Sequence, residues 1–167
     1  TQTHTAMLNP RMNELLNRLP EPEFAQLLPY IQLISLNAGD ELYDSGQRID
    51  TIYFPINALI SISRSFPNGN SIDIATIGHE GLIGVRALTL ELSLHRIYVS
   101  TSGLAYRINC LDLNHHLINS LFLYKIMLLA STQLHKKMSD EMVCSNFHSI
   151  ESRLARWLIV RYDQEKS

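Results

Sequence analysis

The spacing of apolar residues along the chain changes twice, from helical to strand-like and then back to helical. Near the start, Asn9 followed by Pro10 is a typical beginning of a helix, which Pro20 should end. A second short helix is predicted to begin at residues 21–23, where two acidic side chains lie in the first turn, and to be interrupted by Pro29. Two short helices are therefore expected at the start of the chain.

A strand-like pattern begins at Ile31 and is clearest at residues 52–62, where apolar side chains occupy every second position. Pro55 lies inside this pattern. Because proline has no amide hydrogen to donate, this strand is expected at the edge of a sheet or at a bulge.

Residues typical of turns separate the predicted strands. These turns fall at 37–40, 44–46 and 67–70. The last of them lies between two apolar segments, as the loop of a β-hairpin should. Two further strands are predicted at 96–101 and 104–108, so the middle of the chain is expected to be a β domain.

Helical spacing returns after Cys110. Asp112 is expected to cap a short helix, residues 119–120 to end it, and a long helix to follow from Leu121 to about Cys144. The long helix carries two neighbouring apolar stripes. One stripe contains Leu123, Met127, Ala130 and Leu134. The other contains Leu121, Tyr124, Leu128, Ser131, His135, Met138 and Met142.

Two apolar stripes require two packing partners. The first stripe can pack on the β domain, and the second is expected to face the same helix of another copy in a parallel homodimer. At about 1.5 Å per residue the helix would be roughly 35 Å long, which is more than the core of a small domain requires. After it, a hinge is predicted at residues 146–149, with Ser149 capping a further helix that runs through Arg161.

Composition narrows the class of protein. The chain has 167 residues, of which 46% are hydrophobic and 18% charged, as in an ordinary soluble globular protein. Its formal net charge of -2 lacks the basic character of a nucleic-acid-binding domain. The two cysteines, Cys110 and Cys144, are too far apart to indicate a zinc or iron-sulfur motif. No signal peptide or membrane span is visible, so a cytoplasmic location without membrane contact is expected.

Two sequence segments give the chain a family resemblance. These are Ile-Ala-Thr-Ile-Gly-His-Glu-Gly at 74–81 and Phe-His-Ser-Ile-Glu-Ser-Arg-Leu-Ala-Arg-Trp-Leu at 147–158. Together with Gly39, Gly46 and the long helix, they resemble the regulatory half of a Crp/Fnr transcription regulator. The resemblance implies a mainly β fold with α-helices: a cyclic-nucleotide-binding-like double-stranded β-helix, or jelly roll, with N-terminal helices and a long C-terminal dimerisation helix.

The resemblance also implies three segments and a mode of action. Residues 1–119 would form the N-terminal helices and the β-roll effector domain, and residues 120–146 the dimerisation helix. Residues 147–167 would form the hinge and the first helix of a winged helix-turn-helix domain, which should continue beyond Ser167. DNA would be bound only through that further domain, and an unknown small-molecule effector would act on the β-roll.

The ligand chemistry departs from the family pattern. In cAMP-binding relatives a glutamate meets the ribose and an Arg-Ser or Arg-Thr pair meets the phosphate. Here Val85 stands at the glutamate position, and the pair falls near Ser93 and Leu94, so the anion site is missing and cAMP is expected to bind weakly or not at all. Candidate ligand residues are Gly84, Val85, Arg86, Ser93, Arg96 and Ser139, with His95 as a further substitute.

Two other functions are compatible with the sequence. The runner-up is a cyclic-nucleotide-binding regulatory module attached to a protein that does not bind DNA. A cupin-like enzyme is a third alternative, but the chain lacks the His-x-His metal pair of that class, and no catalytic residue is assigned. His115 and His116 are adjacent and point to different helix faces, so no metal site and no cofactor are predicted.

Overall fold

The computed structural model describes residues 8–89 and 91–165, and within this part of the chain seven strands form two antiparallel sheets with helices at both ends. The strands are β1 (Gln32–Leu36), β2 (Glu41–Tyr43), β3 (Thr51–Pro55), β4 (Leu59–Ser65), β5 (Ser71–Ile77), β6 (Arg96–Thr101) and β7 (Gly103–Asn109). The helices are α1 (Glu14–Asn17), α2 (Glu21–Leu27), α3 (Cys110–Leu117) and α4 (Leu121–Glu165), and short 3-10 turns cover Pro10–Met12, Leu28–Tyr30 and Val85–Thr89.

The sheets have the strand orders β1-β7-β3 and β2-β6-β4-β5, and their apolar faces share one core. Ile52, Phe54, Ile60 and Val99 are fully buried in it. The alternating residues 52–62 do not form one strand, since residues 56–58 turn the chain from one sheet to the other. Pro55 ends β3 at a sheet edge, as its missing amide hydrogen predicted.

The corner beside this turn depends on Gly103. A Cβ atom there would lie 2.5 Å from the amide nitrogen of Ala58, so only glycine allows the two segments to approach so closely. The side chain of Asn57 accepts a hydrogen bond from the amide of Leu104 at 2.6 Å. Strand β6 ends at Thr101 and β7 begins at Gly103, near the predicted positions, but the two strands belong to different sheets.

The N-terminal helices are attached to the β-roll through Asn13. The sequence predicted one helix after Asn9, but the extended backbone of Asn13 divides it into the turn Pro10–Met12 and α1. Asn9 caps the turn, and Asn13 caps α1. Its side-chain oxygen accepts hydrogen bonds from the amides of Leu15 and Leu16, while its amide group donates to the carbonyls of Pro55 and Gly81. Helix α2 begins at Glu21 as predicted.

Helix α3 begins one turn earlier than the sequence predicted. Asn109, not Asp112, is the N-cap, and its side chain accepts a hydrogen bond from the amide of Leu111 at 2.8 Å. Asp112 instead lies in the first turn, where a negative charge is favourable to the helix dipole. A short break then leads into α4, with Ser120 accepting a hydrogen bond from the amide of Leu123.

Helix α4 spans 45 residues and is about 68 Å long. It continues without a break through residues 146–149, so the predicted hinge and the separate helix after it are wrong as a description of this backbone. Serine and asparagine have low helix propensity, but no glycine or proline interrupts the hydrogen-bond ladder there. The assignment of 147–167 to a further domain stays a prediction. In the described part of the chain, no helix combines the length and apolar character needed to cross a bilayer.

Candidate ligand cavity and helix surface

A cavity of about 340 Å³ lies between α4, the four-stranded sheet and the segment around Gly84. Its apolar lining consists of Ile49, Ile62, Leu82, Ile83, Val85, Leu94, Ile97, Leu134 and Met138, with Gly84 at one edge. Its polar lining consists of Arg86, Ser93, His95, Ser131 and His135. The volume falls at the lower end of the range of small-molecule sites, which are likewise mostly apolar with a few polar groups.

Gly84 holds the cavity wall against β3. Its φ of +103° lies in the region that L side chains rarely adopt, and a Cβ atom there would lie 2.7 Å from the carbonyl oxygen of Thr51. The preceding residue, Ile83, exchanges two backbone hydrogen bonds with Tyr53, at 2.8 and 2.9 Å. Val85 and Arg86 then begin a 3-10 turn and reach the cavity.

Two polar residues of the cavity already have partners inside the protein. Arg86 forms an ion pair with Glu91, and its Nε donates a hydrogen bond to the carbonyl of Leu92 at 3.2 Å. Ser93 is buried, and its hydroxyl donates to the carbonyl of His95 at 2.6 Å. A ligand would therefore have to displace an existing partner before it could bind either group.

His95 differs from these two residues. Its Nδ1 is buried and has no hydrogen-bond partner. Burial lowers the pKa of the imidazole, and the positive charges of Arg64 and Arg86 lower it further. His95 is therefore neutral at physiological pH, with one ring nitrogen available to a hydrogen-bonding partner.

Four of the six predicted ligand residues line the cavity, namely Gly84, Val85, Arg86 and Ser93. Two do not. Arg96 lies on the outer side of β6, where its Nε donates to the Glu41 carboxylate at 2.7 Å and its guanidinium covers the ring of Tyr98. The hydroxyl of Ser139 is exposed and donates back to the carbonyl of His135 in its own helix at 3.0 Å.

Several residues that line the cavity were not among the predicted ligand residues. Ile49 precedes β3, and Ile62 and Ile97 pair across neighbouring strands, so only the folded arrangement brings them to one site. The strand periodicity marked Ile62 as apolar, but a cavity wall and a filled core give the same pattern. Ser131, His135 and Met138 were assigned to the dimer stripe, and they also line the cavity.

The opposite flank of α4 is attached to the four-stranded sheet by Lys137. Its ammonium group donates to the carbonyl of Thr76 at 2.9 Å and also to the carboxylate of Glu80. Burial acts to raise the pKa of Glu80, but hydrogen bonds from Lys137 and from the amide of Gly78 outweigh it, and the net pKa is lowered. Glu80 is therefore ionised, and the pair holds α4 against the end of β5.

The two predicted stripes of α4 have different environments. Leu123, Met127 and Ala130 are buried against the β domain, as the first stripe predicted. Leu121, Tyr124 and Leu128 in the second stripe are 66%, 60% and 61% exposed. Ser131 and His135 are exposed as well, and Met138 is half-buried beside the cavity. The side chain of Met142 lies outside the described residues.

Among the described residues, no three histidine, cysteine, aspartate or glutamate side chains cluster in a way that could hold a metal ion. His115 and His116 have ring centroids 5.9 Å apart, and His116 packs edge-on against Tyr30. Cys110 is buried, and its thiol donates a hydrogen bond to the carbonyl of Ala87.

Neither a protein-family model nor a curated protein sequence matches the chain, but solved structures do. It aligns with the N-terminal domain of a transcriptional regulator from Streptomyces coelicolor A3(2) at 23% identity, covering 80% of this chain and 94% of that one, with a TM-score of 0.59. A protein from Eubacterium rectale described as a transcriptional regulator of the Crp/Fnr family aligns at 10% identity over 94% and 74% of the two chains, with a TM-score of 0.70.

A cyclic nucleotide-binding domain from Methylobacillus flagellatus aligns at 17% identity over 87% of this chain and 81% of that one, with a TM-score of 0.61. At sequence identities this low, the similarity shows a shared fold only. The chain has the fold of a cyclic-nucleotide-binding domain, with antiparallel β-sheets, N-terminal helices and a long C-terminal helix. The fold predicted from the sequence resemblance is confirmed.

Proposed function

We propose that this chain is the effector and dimerisation part of a Crp/Fnr-type transcription regulator, with the cavity beside α4 as its effector site. The proposal rests on one observation: the same segment of α4 both lines the cavity and belongs to the stripe expected to form the dimer interface. Ser131, His135 and Met138 line the cavity, and the same residues continue the exposed stripe that begins at Leu121. A ligand in the cavity would therefore contact the helix that a second copy would contact.

The exposed stripe favours a second copy of the chain as its occupant. Apolar side chains aligned along two or more turns of a surface helix are unusual on a monomer and are typical of a coiled-coil seam. A twofold axis along α4 would bring Leu128 of one protomer against the same surface of its partner, so that one stripe serves both sides. The dimer then provides the two-state element on which an effector can act.

Sedimentation velocity at micromolar concentration tests the dimer. We expect the wild-type chain to sediment as a dimer and Leu128→Glu to sediment as a monomer, because the substitution places a charge in the seam. Lys125→Glu is the control, since it introduces the same carboxylate at an exposed position outside the stripe. A monomeric wild-type chain, or a Leu128→Glu variant that still dimerises, would contradict the proposed interface.

DNA binding tests the class of protein. We expect the complete product of the gene that encodes this chain to bind specific DNA, and these 167 residues alone not to do so, since their net charge is -2. A mobility-shift assay with DNA from upstream of the gene compares the two proteins. Absence of specific binding by the complete product would favour a regulatory module attached to a protein of another kind.

A further inference from the structure

We infer that the cavity beside α4 takes an uncharged, mainly apolar small molecule that carries one hydrogen-bonding group for His95. This inference rests on the proposed function, in which the cavity is the effector site. It goes further because it assigns a neutral class of ligand, whereas the cyclic nucleotides expected for a β-roll of this kind are anions.

The first step concerns charge. A buried anion requires a cation or several oriented donors, because removing it from water is otherwise very unfavourable. Arg86 is the one permanently charged group among the described residues that line the cavity, and it is paired with Glu91. Its side chain is also 40% exposed, so an anion that displaced Glu91 would sit at the mouth of the cavity and remain in contact with water.

The second step concerns the polar donors within the cavity. The Ser93 hydroxyl is satisfied by the carbonyl of His95, and the backbone amide of Ser93 donates to the carbonyl of Gln47 at 2.8 Å. Neither donor is available to a phosphate or a carboxylate. An anionic ligand at the buried end of the cavity would therefore lose its hydration without gaining hydrogen bonds from Ser93. The other two polar lining residues on α4, Ser131 and His135, are exposed.

The third step concerns His95 itself. An unpartnered nitrogen buried beside a cavity is unfavourable, and a ligand that completes its hydrogen bonding gains selectivity over one that cannot. The walls around it are formed by isoleucines such as Ile49, Ile83 and Ile97 together with Met138. One polar group within an apolar body therefore matches both the histidine and its surroundings.

The size of the cavity limits the ligand. A volume of about 340 Å³ admits a bicyclic aromatic molecule. Indole and benzofuran have the same shape, but only indole carries an N–H donor. Indole-2-carboxamide and indole-2-carboxylate also match in shape, but only the second is an anion at neutral pH. These four compounds are the probes, and cAMP is the fifth.

Binding is followed by the methyl resonances of isoleucine-labelled protein, since the four isoleucines that line the cavity report directly on occupancy. We expect indole-2-carboxamide to bind about tenfold more tightly than indole-2-carboxylate, and indole about fivefold more tightly than benzofuran. cAMP should shift no cavity resonance at the concentrations where the carboxamide saturates the site.

Variants assign these preferences to His95. His95→Phe should reduce the preference for indole over benzofuran to less than about twofold, whereas His95→Gln should retain it because glutamine also offers a hydrogen-bonding group. His115→Phe is the matched control on α3 and should behave as the wild type. Met138→Trp should fill the cavity and abolish binding of all the probes.

The outcomes separate the inference from the proposed function. If the carboxylate or cAMP binds more tightly than the neutral probes and Met138→Trp abolishes that binding, the site is correct but the ligand class is wrong. Such a result would mean that Arg86 exchanges Glu91 for the ligand. If indole retains its preference in His95→Phe, the role of His95 is wrong. If no probe shifts the cavity resonances, or if Met138→Trp binds them unchanged, the effector site itself is wrong.

Discussion

Lys137 of α4 and Glu80 of the loop after β5 form an ion pair that joins the long helix to the β domain. The next residue, Met138, lies in the wall of the cavity on the other flank of the same helix. Adjacent residues thus connect α4 to a charged contact on one side and to the candidate ligand on the other. A change in cavity occupancy would act on a helix whose position is defined by this pair.

The first prediction concerns the stability that this pair contributes. Lys137→Met removes the hydrogen bonds to Glu80 and Thr76. Charge-assisted hydrogen bonds contribute about 1.5 to 3 kcal/mol when buried, and partial exposure of both side chains reduces this. We expect a loss of about 1 kcal/mol in the free energy of unfolding, measured by urea denaturation. Lys136→Met is the control on the exposed neighbour and should stay within about 0.5 kcal/mol of the wild type. Equal midpoints for the two variants would contradict the role of the pair.

The second prediction concerns acid stability. Because the pKa of Glu80 is lower in the folded protein than in the unfolded chain, the unfolded chain binds more protons in acid. The contribution of Glu80 is therefore fully present above its unfolded pKa, about 4.3, and is lost as the pH falls through the lower folded value. We expect the wild type to lose more stability than Glu80→Gln between about pH 5 and pH 3. Urea denaturation at several pH values measures this, and parallel curves for the two proteins would contradict it.

The elements that the sequence predicted well are those in which local pattern and packing agree. Leu123, Met127 and Ala130 have helical spacing and are buried, and the turn at 67–70 joins β4 to β5 as a hairpin. Here each residue's preference and its environment favour the same structure. The periodicity of α4 therefore predicted which face packs on the β domain.

The structure departs from the sequence-based expectations where local sequence does not determine the outcome. Arg96 donates a hydrogen bond to Glu41, which lies 55 residues away in the sequence. No spacing rule relates two positions so far apart. Asn146 and Ser149 are typical capping residues, but a cap forms only where the helix ends, and α4 continues past them. The cavity likewise depends on how the four-stranded sheet, the segment around Gly84 and α4 meet, so the sequence could suggest Gly84 and Ser93 but not the isoleucines around them.

The third prediction concerns Asn13, whose buried side chain makes four hydrogen bonds. Asn13→Ala leaves the carbonyls of Pro55 and Gly81 without this donor and removes the cap of α1. Each unsatisfied buried group costs about 1 to 3 kcal/mol, so we expect a total loss of at least about 3 kcal/mol. Asn9→Ala is the matched control, since Asn9 is exposed and caps one amide only, and it should lose about 1 kcal/mol or less. Thermal and urea denaturation compare them, and similar losses would show that the anchor contributes no more than an ordinary cap.

The last prediction separates backbone strain from steric contact at Gly84. Both Gly39 and Gly84 have positive φ, +95° and +103°, so alanine at either position is strained, by about 1 kcal/mol or more. A Cβ atom at Gly39 would meet nothing within 4 Å, whereas one at Gly84 would lie 2.7 Å from the carbonyl of Thr51. We therefore expect Gly84→Ala to be destabilised by about 1 to 3 kcal/mol more than Gly39→Ala, in line with the usual effect of overpacking. Because β3 and the cavity wall must separate to admit the methyl group, the Ile83 and Ile49 methyl resonances should shift in Gly84→Ala and remain unchanged in Gly39→Ala. Equal destabilisation in the two variants, with unchanged cavity resonances, would mean that the wall yields easily and that Gly84 is required only for its backbone conformation.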